Sequence, residues 1–344
     1  MTAATNMPSN GEISETTTSE IPLDLVERLN ASTNDVLELI ASRLPPESET
    51  LEPARHTLAS GGKHVRVRLT LLSAFAAELD MESSSALAAI AEMVHTATLI
   101  HDDVIDGGDE RRGQVAAHIV HGNKHAILGG DLLLIEALRL AHTTATPNVT
   151  TDLMKIIHAM VEGEYLQMKA QHVLPAHRET ALAINHGKTA QLFGWCMAAP
   201  WMMAGSKDRV VDDAREFGEQ MGSIFQRMDD LLDLVGRPHE LGKPGLLDLR
   251  DGKITLALAE ILESAPLGVE RVQRIWEMEA EGADVAEELV SFRKWVKGLP
   301  ITDGLRTMVK SDTERALALL ETLTPCPARD AIASITRKLV QRSR

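Results

Sequence analysis

From Leu23 onward the apolar residues of this chain recur at three- and four-residue spacings, as in Leu25, Leu29, Val36, Leu37 and Ile40. That period gathers them on one face of a helix and leaves the polar residues on the other. The pattern predicts a succession of amphipathic helices, and strand-like alternation is nearly absent. Breakers at Leu44-Pro45-Pro46, Gly61-Gly62, Gly107-Gly108, Thr146-Pro147, Gly205-Ser206, Gly236-Arg237-Pro238, Leu299-Pro300 and Thr324-Pro325 leave long helical segments between them. No linker divides the chain, so residues 21–344 are expected to form a single all-α domain, one large helical bundle. Residues 1–20, rich in Thr, Ser, Asn and Glu, read as a disordered polar tail with neither the basic start nor the apolar core of a secretory signal.

Composition strengthens the helical reading. Hydrophobic residues make up 44% of the chain but aromatics only 3%, and Ala and Leu abound while β-branched runs are scarce, so the core is expected to be built by packed helices. The longest uncharged stretch, 192–205, contains Pro200 and falls short of the roughly 18 to 20 apolar residues of a membrane span. It reads as a buried helix. A formal charge of −15 argues against nucleic-acid binding, which needs a basic face. Cys196 and Cys326 lack metal or redox spacing and read as ordinary thiols of a reducing, cytoplasmic compartment.

The chemistry is carried first by acids. Asp102-Asp103-Val104-Ile105-Asp106 recurs in type as Asp229-Asp230-Leu231-Leu232-Asp233. On a helix, positions i, i+1 and i+4 bring three carboxylates onto one turn, among apolar neighbours such as Leu99, Ile100, Ile224 and Phe225, where uncompensated anions are costly. One such cluster is most often a solvated acidic face. Two of identical spacing point instead to cations, and hard oxygen ligands favour Mg²⁺, with Mn²⁺ a substitute, bridged to a substrate phosphate.

Basic residues form the second group. Ser60-Gly61-Gly62-Lys63-His64-Val65-Arg66 reads as a loop able to cradle phosphate, and Arg111-Arg112 follows the first acidic cluster after a glycine break. His118, His121 and His125 have a spacing that suggests zinc, but Gly122 interrupts the helix and no supporting acid is evident. Trp195, Trp201, Met202 and Met203 read as core.

Taken in order, these elements resemble the trans-polyprenyl diphosphate synthase family. The resemblance runs from about Pro22 to the C-terminus. It rests on Gly61-Gly62-Lys63 with Arg66, His95 and His101 leading into the first cluster, Arg111-Arg112-Gly113, Gly130-Asp131, Gly163-Glu164-x-x-Gln167 and Lys188-Thr189-Ala190. It continues through Phe225-Gln226 and the second cluster, Gly242-Lys243-Pro244, and Asp248-Leu249-x-x-Gly252-Lys253-x-Thr255-Leu256.

The resemblance implies an all-α fold of the isoprenoid synthase type around a deep central cavity, and a Mg²⁺-dependent homodimeric prenyltransferase. Asp102, Asp103, Asp106, Asp229, Asp230 and Asp233 would hold metal and, with Lys188, would be catalytic, binding an allylic diphosphate from opposite walls. Arg111, Lys188, Thr189, Gln226, Lys243 and Lys253 would complete that site. Lys63, Arg66, His95 and Arg112 would bind isopentenyl diphosphate. The allylic C–O bond would ionise, the alkene would attack and a proton would be lost.

In the family, aromatic residues four or five positions before the first aspartate stop chain growth. Here those positions are Thr98 and Ala97, with Met93 and Val94 a turn further back, so a long-chain product serving quinone side chains such as menaquinone is expected, and with it peripheral membrane contact on product release. The alternatives are a short-chain farnesyl or geranylgeranyl diphosphate synthase, a class I terpene cyclase, and a non-catalytic subunit of a heteromeric synthase. The chain departs from the family pattern at His64, where Arg is usual, and at Val67, Val115-Ala116, Leu246 and Ala257.

Overall fold

The computed structural model describes residues 21–236 and 245–341. The expected tail 1–20 and Lys243 lie outside the described residues. Among the described residues the helices group into two compact units, 21–150 with 326–331, and 151–325 with 332–341. The change from one to the other falls inside a helix, Pro147–Ala170, and not in a linker.

In the first unit, α1 (Leu23–Ser42), α2 (Glu52–Ala59) and α3 (Val65–Ala76) are followed by the long α4 (Met81–Asp106). α1 buries the stripe that the periodicity predicts, Leu25, Leu29, Val36 and Ile40. α4 differs, because from Ala86 to Val94 every residue is buried, whatever its face. Small side chains make that possible. Ala86, Ala88, Ala89 and Ala91 let α1, α3 and the later α6 (Asn123–Thr144) approach closely, while Leu87, Ile90 and Met93 fill the space between them. Each large apolar side chain so buried contributes about 1.5 to 3 kcal/mol. Asp80 caps the start of α4, its carboxylate accepting from Ser83 N–H at 2.8 Å and Ser83 O–H at 2.9 Å. Gly107, in the left-handed conformation, ends it directly after the first acidic cluster.

The chain then makes the one strand pairing among the described residues. β1 (Glu110–Arg111) and β2 (Gln114–Val115) run antiparallel, Glu110 opposite Val115 and Arg111 opposite Gln114. Arg112 and Gly113 both have positive φ, the signature of a two-residue hairpin turn. This hairpin is the small remainder that the expectation of almost no strand allows, and two residues per strand are too few to leave a period-2 pattern. α5 (Ala117–His121) leads into α6.

The second unit continues from α7 (Pro147–Ala170) through α8 (Arg178–Asn185), a π-helical turn at His186–Ala190, α9 (Gln191–Met203) and α10 (Asp208–Val235). Then come α11 (Leu247–Arg250), α12 (Leu256–Ser264), α13 (Leu267–Ala280), α14 (Ala286–Lys297), α15 (Pro300–Leu320) and α16 (Pro327–Gln341). The uncharged stretch 192–205 forms α9, buried from Leu192 to Trp201 as predicted. α9 packs on α10, whose buried stripe is Phe217, Met221, Ile224, Met228, Leu231 and Leu234. Cys196 is buried and Cys326 half-buried, and the two are not joined in a disulfide. No helix among the described residues is long and apolar enough to cross a membrane.

Candidate active site

In the first unit, the last turn of α4 leaves Asp102 and Asp106 half-buried and turns Asp103 inward, where it is 4% exposed. The hairpin returns beneath that turn. Arg111 Nε donates to both Asp103 oxygens at 2.9 and 3.2 Å, and Nη2 donates to Oδ1 as well. Two residues expected at one substrate thus meet as an ion pair.

Around His95, about two turns before Asp102 on α4, gather Arg66 and Arg112, two of the other expected isopentenyl diphosphate residues. Desolvation holds the His95 imidazole well below the usual histidine range, and the charges of Arg66, Arg112, Arg111 and His64 push it the same way. It therefore sits neutral among cations. Burial also lowers Arg112 from its ordinary value, opposed by Glu92 and Asp103, and it stays cationic. The phosphate loop proper is 61–64, because α3 begins at Val65 and carries Arg66 on its first turn. His64 itself has a left-handed φ of 44°. Leu246, another departure from the family pattern, shares that conformation at φ 59°.

Three of the four expected chain-length positions are buried in the helix packing and the fourth, Thr98, is half-buried. Met93, Val94 and Ala97 are inaccessible, while Thr98 turns its hydroxyl to the His95 carbonyl at 2.8 Å.

In the second unit the π turn at His186–Ala190 widens the helix where Lys188 and Thr189 stand, a distortion frequent at functional sites. It crosses α7 backbone to backbone. A Cβ on Gly163 would lie 2.7 Å from Lys188 N, and one on Gly187 would lie 3.0 Å from Gly163 Cα, so both glycines are required. That contact brings Glu164 Oε2 to 2.5 Å from Lys188 Nζ. Thr189 Oγ1 donates to Gln226 Oε1 at 3.1 Å, and Gln226 Nε2 donates to Asp230 Oδ1 at 2.8 Å. Thr189, Gln226 and Asp230 thus form one hydrogen-bonded run.

Asp230 is 4% exposed. Desolvation pushes its carboxyl well above the usual range, Asp248, Asp229 and Asp233 push further, and the Gln226 amide opposes. Asp233 Oδ2 accepts from the Asp248 N–H at 3.2 Å. Lys253 follows, its ammonium 3.1 Å from Asp251.

Two groups escaped the sequence reading. One is Glu92, buried on α4 three residues before His95. The other is Arg227, which pairs with Glu260 and, at 3.0 Å, with Asp312, while Arg178 also bonds Glu260 at 3.1 Å. Neither belongs to a periodic pattern or a short motif. Among the described residues no three His, Cys, Asp or Glu side chains already converge as a metal cage. His125 instead bonds the Glu49 carbonyl at 2.8 Å, and His121 stacks edge-on against it.

Comparison with known proteins adds three findings. A polyprenyl synthetase family model matches residues 47–292. The all-trans-nonaprenyl-diphosphate synthase (geranyl-diphosphate specific) of Rhodobacter capsulatus is 33% identical over 290 residues, 84% of this chain and 88% of that protein. Two crystal structures share the fold across nearly their whole length. A decaprenyl diphosphate synthase from Rhodobacter capsulatus has a TM-score of 0.85 at 29% identity, covering 93% of this chain and 99% of its own. A polyprenyl synthase from Caulobacter crescentus CB15, complexed with calcium and isoprenyl diphosphate, has a TM-score of 0.84 at 31% identity, covering 94% and 99%.

Proposed function

Because the chain belongs to the polyprenyl synthetase family, we propose that it is a prenyltransferase that condenses isopentenyl diphosphate with an allylic diphosphate and repeats the step to make a long all-trans polyprenyl diphosphate. The observation that carries this reading is the run Thr189, Gln226, Asp230 beside Lys188, a row of phosphate-binding donors ending in a buried acid.

The donors fit a divalent metal. Asp102, Asp103 and Asp106, and Asp229, Asp230 and Asp233, offer hard oxygens, and the raised proton affinity of Asp230 is what a cation would relieve. These residues would hold magnesium, which when bound would neutralise the diphosphate charge. Lys188 and Lys253 supply ammonium donors, Thr189 a hydroxyl and Gln226 an amide to the allylic diphosphate, joined by Arg111 and by Lys243. As that diphosphate leaves, these donors stabilise the charge that develops on it. Lys63, Arg66 and Arg112 bind the second diphosphate, to which the neutral imidazole of His95 can donate a hydrogen bond without adding charge. No side-chain nucleophile is needed, and the proton released after condensation passes to pyrophosphate.

Support for a long product comes from the absence of an aromatic side chain at Ala97, Thr98, Met93 and Val94, and from the nonaprenyl and decaprenyl products named for the relatives. Ala97→Phe is expected to shorten the product, and unchanged length on chromatography overturns the tunnel-floor assignment. The polyprenyl tail would serve a quinone. A homodimer is supported by the exposed Ile127, Leu128 and Ile135 along α6, and a cytoplasmic site with peripheral membrane contact by the two thiols, not joined in a disulfide, and the hydrophobic product.

The decisive assay is purified protein with magnesium, isopentenyl diphosphate and allylic primers of several lengths, read by product mass. Long polyprenyl diphosphates are expected, dependent on isopentenyl diphosphate. Hydrocarbon released from farnesyl diphosphate alone would favour a cyclase instead.

A further inference from the structure

The cationic subsite of the first unit contains one acid that the reaction, as described, does not use. Glu92 lies three residues before His95 on α4 and is 4% exposed, a burial that a carboxylate tolerates only with partners. His64 Nδ1 donates to its Oε1 at 2.9 Å. His64 is the last residue of the phosphate loop, and its left-handed φ is a conformation that a non-glycine residue keeps only where the surroundings impose it. Glu92 also favours the charged form of Arg112. The guanidinium of Arg112 lies against Gly62, where a Cβ would come within 2.5 Å of Nη1. Loop, hairpin and α4 thus meet around the Glu92 carboxylate, while the second acid acting on Arg112, Asp103, is already engaged by Arg111.

Two consequences follow from electrostatics. In the absence of substrate, Arg66 and Arg112, which both act on His95, repel one another, and an acid beside them lowers the cost of assembling them. With a diphosphate bound, the same acid weakens the hold of the cations. That weakening is useful in this chemistry, because the product of each condensation keeps the diphosphate of isopentenyl diphosphate. It must leave this subsite before the next isopentenyl diphosphate can enter.

We infer that Glu92, partnered by His64, is a built-in counter-charge of the isopentenyl diphosphate subsite, holding its cations in place when empty and keeping their grip on a diphosphate releasable. Glu92 touches no reacting atom, so it acts as a positioning and affinity-setting residue. The inference rests on reading Lys63, Arg66, His95 and Arg112 as that subsite.

The test is Glu92→Gln, which keeps the size of the side chain and its acceptor for His64 but removes the charge. One unit of charge near a partly buried site changes diphosphate binding by about tenfold. The KM for isopentenyl diphosphate is therefore expected to fall by about tenfold, with kcat reduced and the KM for the allylic primer unchanged. A purely structural role would move both KM values together and lower the melting temperature. An isopentenyl diphosphate KM that is unchanged or raised overturns the inference. His64→Arg, which compensates Glu92 with a permanent charge, is expected to lower the same KM and provides the measurement if the first variant does not fold. Arg66→Ala separates the two levels. If it fails to raise the KM for isopentenyl diphosphate, the subsite reading is at fault; if it raises it and Glu92→Gln and His64→Arg do not act as stated, the counter-charge is.

Discussion

Asp103 and Asp230 hold the same place in two motifs of equal spacing, are equally buried, and stand near the C-terminal ends of α4 and α10. Their company differs. The hairpin after α4 brings the Arg111 guanidinium onto Asp103, whereas Asp230 is held by the Gln226 amide from its own helix while Asp248, Asp229 and Asp233 add to its negative surroundings. The first carboxylate carries an internal counter-ion, and the second is loaded with unfavourable charge. Identical motifs therefore say which residues are acidic but not how each acid is tolerated. That is decided by the segment the fold brings alongside.

The contrast can be tested through stability, where its two halves differ in sign. The largest effect lies in what braces α10. Arg227 and Glu260 are both buried, so Glu260→Ala, which leaves the arginine without its nearest acid, is expected to cost about 3 kcal/mol, seen as a lowered denaturation midpoint. Next, Asp103→Asn deprives Arg111 of its charge partner and is expected to destabilise the metal-free protein by about 2 kcal/mol.

Asp230→Asn should do the reverse. It removes a desolvated, repelled charge and keeps an acceptor for Gln226, so the metal-free protein is expected to gain about 1 kcal/mol while turnover is lost. Added magnesium should then raise the melting temperature of the unsubstituted protein more than that of this variant. Equal shifts on Asp103→Asn and Asp230→Asn would dissolve the distinction.

The smallest effect serves as a control at the far end of α4. Hydrogen bonds from Ser83 hold the Asp80 carboxyl below its usual range, so the stability it contributes is present above the unfolded value near 3.9 and is lost as pH falls through the folded one. Asp80→Ala is expected to cost about 0.5 to 1 kcal/mol at neutral pH, with the difference shrinking below about pH 4 and activity retained.

Much of this architecture was legible in the residues. The stripe of α1, the uncharged α9 and the glycine stop after Asp106 follow from short-range periodicity and breakers, while the grouping of Thr189, Gln226 and Asp230 was implied only by the family resemblance. What escaped is long-range or too small to leave a pattern. Glu92 meets His64 across the interval between α3 and α4, and Arg227 reaches Glu260 and Asp312 from distant helices. Such pairs have no spacing to detect. The hairpin at 110–115 is too short to alternate, and the change of compact unit inside α7 carries no linker composition.

The wide turn at His186–Ala190 acts as a phase shifter along the chain. It holds one residue more than an α turn, so α8 and α9 run out of step by about 100° of rotation. Any apolar pattern counted across that segment must slip by one position to stay on the buried face. By the same geometry, deleting a single residue there would swing Lys188 away from Glu164 or Thr189 away from Gln226 while barely changing the length of the helix. The segment should accept side-chain substitutions more readily than changes in residue number.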